Sequence, residues 1–554
     1  MRLRLSERPW LTVLAVAGVL LFFVANRGAY EGFFSDDDFD NLGWTTIVGW
    51  DVFREGFVTP KFSFDNFRPA GHMFYRLMHL VVQFDFPRWV LALQCIHLLN
   101  VFLVFRLCRA LGVAERGAVA GAAIFAFHPA LFAAFWKPMY DFDLTCATCL
   151  VASALFYLRD RLVLSVLAFW LAYKAKEMAI FFPIALALVE ALRTRRWWRL
   201  APFCAISLSF GLQAVLANRV RDTSYTLRFT AEAMGGSLRF YLGHVALVLA
   251  PAALWAWRDR RLWLALAAFI ALMGPLWFLP GRLFAVYLYV PMIAVVIGIG
   301  FAGEKVPVKW LGALAACWLA WVYLVDLRAY RRAELTVGRE NRVFFERACA
   351  MKGELQREIA TKAAVLYEGG PPHLAPWGVT GVYHLCYSPE LKLIPLDLYD
   401  PHWKEQGAAA LSWNTATQQL QVMRREPSNS MNVFGFDRGW HAMNAGARWS
   451  TENPMAHVLQ PPGTGELQVV AYPTADQLKL VGKIQLVVYV DGQWVGDAEL
   501  DRAVPFIRSW PVPLVKDATV RVVDFQVTPF HTVPGSPRRY GLPFGDYSFR
   551  KRQP

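Results

Sequence analysis

Apolar residues in the first 330 positions are grouped into long runs, which short polar segments separate. A helix needs about 20 apolar residues to cross the hydrocarbon core of a bilayer, and eleven runs approach or reach that length. They lie at 10–25, 89–108, 117–135, 142–158, 162–175, 178–192, 200–217, 238–256, 262–279, 284–302 and 308–326. The pattern predicts a polytopic α-helical membrane domain over residues 1–330, with about eleven transmembrane helices.

The polar segments between these runs differ in charge. Every segment that follows an even-numbered run carries at least two Lys or Arg residues, as at 193–199 between the sixth and seventh runs. An excess of cations marks cytoplasmic loops. We therefore expect a cytoplasmic N-terminus and, because the number of spans is odd, a C-terminal part on the other side. The high Ala, Arg and Trp content favours a multi-pass protein of a bacterial inner membrane, whose C-terminal domain is periplasmic.

The pattern changes after about residue 330. Residues 331–364 have the spacing of one charged amphipathic helix. Later runs alternate with the period of strands, and Asp491-Gly492 between two of them is a hairpin signal. These runs lie at 467–472, 484–490, 494–500 and 519–526. We expect a helical or mixed connector at 331–404 and an extracytoplasmic, jelly-roll-like β-sandwich at 405–554.

Composition excludes several classes of protein. Hydrophobic residues make up 56% of the 554 residues and charged residues 18%, which disfavours both a soluble enzyme and a disordered chain. The net charge of +14 is explained by cytoplasmic loops, so we expect no nucleic-acid partner. The eight cysteines are too sparse for a disulfide scaffold. Cys146 and Cys149 lie in an apolar run and favour helix packing, whereas Cys349 and Cys386 could form one disulfide outside the cytoplasm.

An acidic run follows the first apolar run. Asp36, Asp37, Asp38 and Asp40 fall within five residues of what we expect to be the first outside loop, 27–88. Carboxylates that crowd together at a membrane surface repel one another, which raises the pKa of one of them toward a value suited to a general base. The run predicts a catalytic base, a metal site or both, and its alternative is a solvated loop.

Further polar residues occur at other predicted outside ends of the spans. Cations placed there would hold an anionic group such as a phosphate, and carboxylates would orient them. The candidates for substrate and phosphate binding are Arg68, Asp143, Lys176, Glu177, Arg282 and Tyr287. No phosphate-binding glycine loop, zinc spacing or nucleophile elbow accompanies them.

Four short motifs, in order, resemble those of a known superfamily. They are Asp36-Asp37-Asp38, Phe67-Arg68-Pro69-Ala70, His128-Pro129 followed by Asp143, and Ala175-Lys176-Glu177 before the run to Glu190; a weaker fifth is Val286-Tyr287-Leu288-Tyr289-Val290-Pro291. Residues 1–330 thus resemble the GT-C superfamily of polytopic glycosyltransferases. The most similar branch holds the bacterial relatives of the TMTC and PMT types of protein O-mannosyltransferase. Two departures are that Asp141 and Phe142 stand where that branch has Arg-Lys, and that a β domain replaces the tetratricopeptide repeats.

The resemblance implies a function. A membrane glycosyltransferase of this kind moves a sugar from a polyprenyl-phosphate donor to an acceptor hydroxyl of a glycan or protein on the extracytoplasmic face, with inversion. It implies an Asp base, for which Asp37 is our first choice and Asp36 or Asp38 the alternatives. Arg68, Lys176 and Arg282 would contact the phosphate. The C-terminal domain resembles carbohydrate-binding modules. No cofactor is required, and Mg²⁺ or Mn²⁺ at the Asp cluster is the alternative.

Two other classes of protein remain open. A transporter or flippase for a lipid-linked sugar would also need many spans and charges, but it more often shows charged helices near the midplane and an internal repeat. A non-catalytic glycan-binding protein of the envelope would use the β domain and leave the Asp run without a role. Substitution of Asp36, Asp37 and Asp38 separates these classes, because only an enzyme loses turnover.

Overall fold

The computed structural model describes the chain in twelve segments, and it divides into two compact units. The first unit is Met1–Arg339 and the second is Glu340–Pro554. The described segments are 9–60, 67–193, 195–217, 226–353, 365–388, 391–395, 410–414, 418–423, 433–436, 439–444, 447–532 and 539–552. Parts of the predicted loops at 27–88 and 218–237, and of the predicted helix at 331–364, lie outside these segments.

The first unit is helical throughout its described part. Its helices are α1 (Pro9–Ala25), α2 (Asp37–Ile47), α3 (Trp50–Val58), α4 (Pro69–Val82), α5 (Phe86–Ala110), α6 (Glu115–Phe127), α7 (Phe132–Trp136), α8 (Asp141–Leu158), α9 (Leu162–Ala175), α10 (Phe182–Leu192), α11 (Ala201–Ala217), α12 (Ala231–Ala256), α13 (Arg260–Met273), α14 (Tyr289–Gly303), α15 (Val308–Trp321) and α16 (Leu327–Ala350), the last of which continues past residue 339.

A helix occupies each of the eleven predicted spans, but fewer are long enough to cross a bilayer on their own. Six helical stretches in the described chain have the length and apolar character of a span: Thr12–Glu31, Phe86–Ala110, Pro138–Leu158, Ala231–Ala256, Ala285–Gly303 and Lys309–Ala350. A seventh is the pair Glu115–Phe127 and Pro129–Trp136, which is bent by 52° at His128-Pro129. The chain is therefore a helical membrane protein, and the count of eleven spans stays a prediction.

Five helices of this unit begin directly after a short 3₁₀ turn, and three of these entries lie near the residues that the sequence singles out. These three turns are Pro138–Tyr140 before α8, Glu177–Phe181 before α10 and Ala285–Leu288 before α14. Proline lacks an N–H group and is favoured before or within the first turn of a helix, where that group would have no partner in the helix. A proline stands there in each case, at Pro138, Pro183 and Pro291. Four of the nine candidate site residues, Asp143, Lys176, Glu177 and Tyr287, lie at or next to these irregular entries.

The second unit begins with a small mixed sheet in the order β2-β1-β3-β4. Its strands are β1 (Val365–Glu368), β2 (Leu393–Pro395), β3 (Ala410–Asn414) and β4 (Gln419–Met423), with helix α17 (Pro376–Cys386) between β1 and β2. Strand β1 pairs in parallel with both β2 and β3. Strands β3 and β4 therefore belong to this sheet and not to the sandwich, although both lie beyond residue 404. A disulfide joins Cys349 at the end of α16 to Cys386 of α17.

Two five-stranded antiparallel sheets follow, in the orders β11-β10-β13-β8-β5 and β12-β9-β16-β7-β6. Their strands, with the small pair β14-β15 and the short helix α18 (Ala475–Val481), are β5 (Val433–Phe436), β6 (Trp440–Asn444), β7 (Ala447–Ser450), β8 (Met455–Gln460), β9 (Glu466–Ala471), β10 (Ile484–Val490), β11 (Gln493–Leu500), β12 (Phe506–Pro511), β13 (Thr519–Thr528), β14 (His531–Thr532), β15 (Arg539–Tyr540) and β16 (Pro543–Arg550).

The alternation of the sequence matches the burial of these strands. Every second residue of β10 is buried, and the same is true of β8 and β9. The turn between β10 and β11 is Asp491-Gly492, and both residues have a positive φ, as a type I′ hairpin requires. Trp440 and Trp510 lie in the shared core, whereas Trp494 is 62% exposed. The C-terminal region is thus a two-sheet sandwich with an ordinary apolar core.

Candidate active site

The acidic run forms the entry to α2, and its three consecutive aspartates have different surroundings. Asp36 is the residue before the helix and has a φ of 35°, which is rare for a residue with a side chain. Asp37 is exposed, Asp36 is half-buried and Asp38 is fully buried. The sharp turn at Asp36 therefore sends adjacent carboxylates in different directions.

The buried carboxylate has two neutral hydrogen-bond donors. The backbone N–H of Ser35 donates to Asp38 Oδ2 (2.9 Å), and the hydroxyl of Tyr75 donates to Oδ1 (2.7 Å). Burial raises the pKa of Asp38 to about 7, although these two bonds and the charge of Lys137 oppose the shift. A carboxyl group with such a pKa exchanges a proton near neutrality.

Helix α4 presents a polar face toward this segment. Arg68, His72 and Tyr75 follow one another at the spacing of a single helix face. The ring of His72 bonds through Nδ1 to the backbone of Arg68 (3.0 Å) and through Nε2 to Asn41 Oδ1 of α2 (3.1 Å). Burial lowers the pKa of His72 to about 4, which keeps the ring neutral. His72 therefore ties α4 to α2 and adds no charge.

Two cation–carboxylate pairs lie beside this face. Arg68 donates through Nε (2.9 Å) and Nη2 (2.8 Å) to Oε1 of Glu177, in the turn before α10. Burial acts against both charges, yet each stabilises the other: the pKa of Arg68 is raised and the pKa of Glu177 is lowered. Lys176 donates to Asp143 Oδ2 of α8 (2.5 Å). The adjacent residues 176 and 177 thus pair with partners on two different helices.

Aromatic rings connect these groups. The guanidinium of Arg68 lies 5.4 Å from the ring centroid of Phe142, and the ring of His72 contacts the same side chain. The ammonium of Lys176 lies 4.9 Å from the ring centroid of Tyr287. Gly71 allows this approach, because a methyl group there would overlap the ring of Phe142. The acidic segment and the two ion pairs therefore form one site.

The arginine between the ninth and tenth predicted spans is joined to the site through rings. Arg282 lies 5.2 Å from the ring centroid of Phe284, and Phe284 packs edge to face against Tyr287 at 5.6 Å. Its backbone carbonyl accepts a hydrogen bond from Tyr241 of α12 (3.4 Å). Arg282 thus belongs to the periphery of the site.

Asp141, the first residue of α8, differs from its neighbours. It is fully buried, and neither of its carboxyl oxygens has a hydrogen-bond partner among the described residues. It lies within electrostatic reach of Tyr75, Asp38 and Lys176. A buried polar group without a partner is uncommon in folded proteins, and a catalytic role or a bound water or ion is among its explanations.

A metal centre has no ready arrangement in the part of the chain that the structure describes. No group of three or more His, Cys, Asp or Glu side chains is placed there to hold an ion. Asp38, the most buried of the acidic run, already accepts two hydrogen bonds. A divalent cation at the Asp cluster stays a prediction.

The structure brings all nine predicted site residues to one region of the first unit, and it adds Tyr75, His72 and Asn41. Tyr75 carried a signal, because it lies seven residues after Arg68 and thus on the same face of a helix that begins at Pro69. Nothing in the sequence marked Asn41, whose role depends on how α2 and α4 pack. The long-range pairing of Arg68 with Glu177 was likewise not readable from spacing.

Comparisons with known proteins give a distant likeness. No family model matches the chain, and no curated protein matches it. Two solved structures of ArnT from Cupriavidus metallidurans are similar, each at 15% sequence identity and over 96% of its own chain. The apo state covers 78% of this chain at a TM-score of 0.42, and the form bound to undecaprenyl phosphate covers 77% at a TM-score of 0.45.

Proposed function

We propose that the protein is a membrane glycosyltransferase of the GT-C type, which moves a sugar from a polyprenyl-phosphate donor to an acceptor hydroxyl on the extracytoplasmic face. The observation that carries the proposal is the convergence of Arg68 and Lys176 with the acidic run at one end of the helices. Cations beside an ionisable carboxylate suit a reaction in which a hydroxyl loses a proton while a phosphate departs.

Asp37 is the general base in this proposal. It is exposed, so an acceptor hydroxyl can reach it, whereas Asp38 is fully buried. Asp38 is a positioning residue, because its bonds to Ser35 and Tyr75 fix the turn that directs Asp37 outward. Attack by the activated hydroxyl on the anomeric carbon breaks the bond to the phosphate and inverts the configuration.

Arg68 and Lys176 stabilise the phosphate that leaves with the lipid. Each cation is already positioned by a carboxylate, Glu177 for Arg68 and Asp143 for Lys176. Arg68 uses Nε and Nη2 to bind Glu177, and a guanidinium carries five N–H donors, so donors remain for an anion. The ring of Tyr287 contacts the ammonium of Lys176, and Arg282 adds charge at the periphery.

The distribution of cysteines supports the proposed orientation. The one disulfide of the described chain, Cys349–Cys386, lies in the second unit, and the six cysteines of the first unit are free. Disulfides persist in oxidising compartments such as the bacterial periplasm. A periplasmic second unit follows from an odd number of spans with the N-terminus inside, and its sandwich would contribute to the choice of a glycan or protein acceptor.

The experiment is a transfer assay in detergent with radiolabelled polyprenyl-phosphate sugars and an envelope extract as acceptor. We expect Asp37→Asn to lower turnover by about 10²–10⁴-fold, the range of a lost general base, while its melting temperature stays close to that of wild type. Asp40→Asn is the matched control, because Asp40 is also exposed and lies in the same first turn of α2. It should keep turnover.

Two results would contradict the proposal. If wild type consumes no donor but moves labelled lipid across vesicles, the protein is a transporter. If Asp38→Asn abolishes turnover in a folded protein and Asp37→Asn does not, the base is Asp38. A chelator arm tests the metal separately, since loss of transfer that Mg²⁺ or Mn²⁺ restores would place a cation in the reaction.

A further inference from the structure

A cavity of about 350 Å³ lies in the first unit, and none of the nine candidate site residues lines it. Helices α5, α8, α10, α13 and α14 enclose it, and their aliphatic side chains line it. Two charged residues, Arg193 and Arg261, complete the lining. Its volume lies in the range of ligand-binding pockets, about 300–1,000 Å³.

The cavity extends along the helices over the depth of about one leaflet. On α14 its lining runs over the twelve residues from Val290 to Phe301, about 16 Å of helix, and on α8 from Leu150 to Leu158, the half of that helix away from Asp143. Half of a bilayer's hydrocarbon core is about 15 Å. Val290 lies just after Tyr287 of the active site, and Phe301 lies toward the opposite end of α14. The cavity therefore occupies the half of the membrane domain that lies away from the acidic run.

The two arginines stand at the far end of this cavity. Arg261 is held in place by Asp259 (2.9 Å) and Glu304 (3.3 Å), and it lies over the ring of Phe301. Arg193, which follows the last residue of α10, is exposed and donates to the carbonyl of Ala110 (3.4 Å). Its guanidinium makes no ion pair with any carboxylate in the described part of the chain. An anion at this end would face a cation that no carboxylate compensates.

We propose that the cavity binds an anionic phospholipid of the leaflet opposite the acidic site, with an acyl chain among the aliphatic residues and its phosphate at Arg193. The length of the cavity matches one leaflet, its lining matches an acyl chain, and its single charged end matches a phosphate. The proposal does not depend on the proposed function. A donor whose phosphate contacts Arg68 and Lys176 would leave Arg193 without an anion, so this lipid is a different one.

The test measures retained lipid by native mass spectrometry. The purified protein is delipidated in detergent and titrated with dioleoylphosphatidylglycerol or, separately, with dioleoylphosphatidylcholine. We expect one tightly retained phosphatidylglycerol and about tenfold weaker binding of phosphatidylcholine, because the cationic choline group of the second lipid compensates its phosphate and is repelled by Arg193. Arg193→Ala should remove the preference for phosphatidylglycerol. Arg195→Ala is its control, since Arg195 is also exposed but does not line the cavity.

A second pair of variants tests the acyl-chain part. Ala268→Phe would fill the cavity, whereas Ala267→Phe adds the same group to an exposed neighbouring position that does not line it. Only the first should lose the retained lipid. The proposal fails if both of these variants retain lipid equally. It also fails if undecaprenyl phosphate displaces the phospholipid one for one, because the cavity would then belong to the donor.

Discussion

Two clusters of buried charge lie near opposite ends of α8, and they are built differently. Asp141 and Asp143 stand in the first turn of the helix, and Tyr157 stands in its last turn. Fourteen residues separate Asp143 from Tyr157, which is about 21 Å along the helix axis. The same helix thus contributes to the candidate active site at one end and to a second ion pair at the other.

The cluster at the Tyr157 end of α8, the far cluster, is closed, because protein groups pair with its buried carboxylate. Glu190 of α10 accepts a hydrogen bond from the hydroxyl of Tyr157 (2.7 Å), one from Arg199 (3.4 Å) and one from the backbone N–H of Arg196 (2.9 Å). Arg199 lies over the ring of Tyr157 and also pairs with Asp160. Both carboxylate oxygens of Glu190 therefore accept hydrogen bonds from the protein, and neither is left to bind a ligand.

The cluster at the Asp141 end of α8, the near cluster, is open, because not all of its carboxylate oxygens have protein partners in the described chain. Asp143 and Glu177 have cationic partners, but the oxygens of Asp141 have no hydrogen-bond partner among the described residues. Asp38 is held by neutral donors alone. Buried polar groups that are left incomplete cost free energy, and a protein keeps them where a ligand or a proton completes them. The contrast favours a structural role for Glu190, although it is part of a motif, and it supports our proposal that the acidic end is the site.

The largest effect we expect comes from the closed cluster. Arg199→Ala removes the cation beside a Glu190 side chain that is only 2% exposed. Loss of one partner of a buried ion pair typically costs about 3–5 kcal/mol, because the other charge stays buried. We expect a fall of this size in the free energy of unfolding, measured by denaturation in mixed micelles, with unchanged turnover per folded molecule.

Arg196→Ala is the matched control for that variant. Arg196 is 57% exposed and lies 3.8 Å from Asp160, so its loss should cost less than about 1 kcal/mol. If Arg199→Ala is as stable as wild type, the ion pair of Arg199 with Glu190 does not stabilise the fold. If Arg199→Ala folds but loses turnover, the far cluster takes part in the reaction and is not purely structural.

The second prediction concerns pH and the open cluster. The pKa of Asp38 is about 7 in the folded protein and about 3.9 in an unfolded chain. Between these values the unfolded chain binds fewer protons, so the free energy of unfolding falls as pH rises, by about 1.4 kcal/mol per unit at most. We expect the melting temperature of wild type to fall more between about pH 4.5 and about pH 7.5 than that of Asp38→Asn.

The substitution Asp38→Asn keeps the local bonds, which makes this variant informative. The introduced amide can accept from the Ser35 N–H through its oxygen and donate to the Tyr75 hydroxyl oxygen through its nitrogen. Asp40→Asn, at an exposed position of the same helix, should keep the wild-type slope. Parallel curves for wild type and Asp38→Asn would show that Asp38 is not the group that titrates.

The fold was largely readable from the sequence, because local periodicity determines it. Helices occupy the eleven predicted runs, and the strands at 484–490 and 519–526 coincide with β10 and β13. The length of the spans was less readable, since prolines at Pro129, Pro183 and Pro291 shorten or bend helices whose apolar runs continue through them. Strands β3 and β4 alternate like sandwich strands, and only their pairing with β1 assigns them to another sheet.

The site was readable as a set of residues but not as a set of bonds. The sequence collects Arg68, Lys176 and Glu177 at helix ends, yet Arg68 pairs across 109 positions with Glu177, and Lys176 pairs with Asp143 and not with its neighbour. Spacing cannot decide between such partners. The burial of each aspartate was equally hidden, because it depends on how α2 packs against Tyr75 of α4.

The smallest effect we expect separates the two aspartates of α8. Asp141→Leu replaces a buried carboxyl group that has no described hydrogen-bond partner with an apolar side chain, which should raise the free energy of unfolding by about 1 kcal/mol. The helix dipole, which favours a carboxylate in the first turn, offsets part of the gain. Asp143→Leu should lower the free energy of unfolding, because it removes the carboxylate that pairs with Lys176. Both variants should lose transfer activity. If Asp141→Leu destabilises the protein as much as Asp143→Leu does, the near cluster is as closed as the far one, and its carboxylates are there for folding.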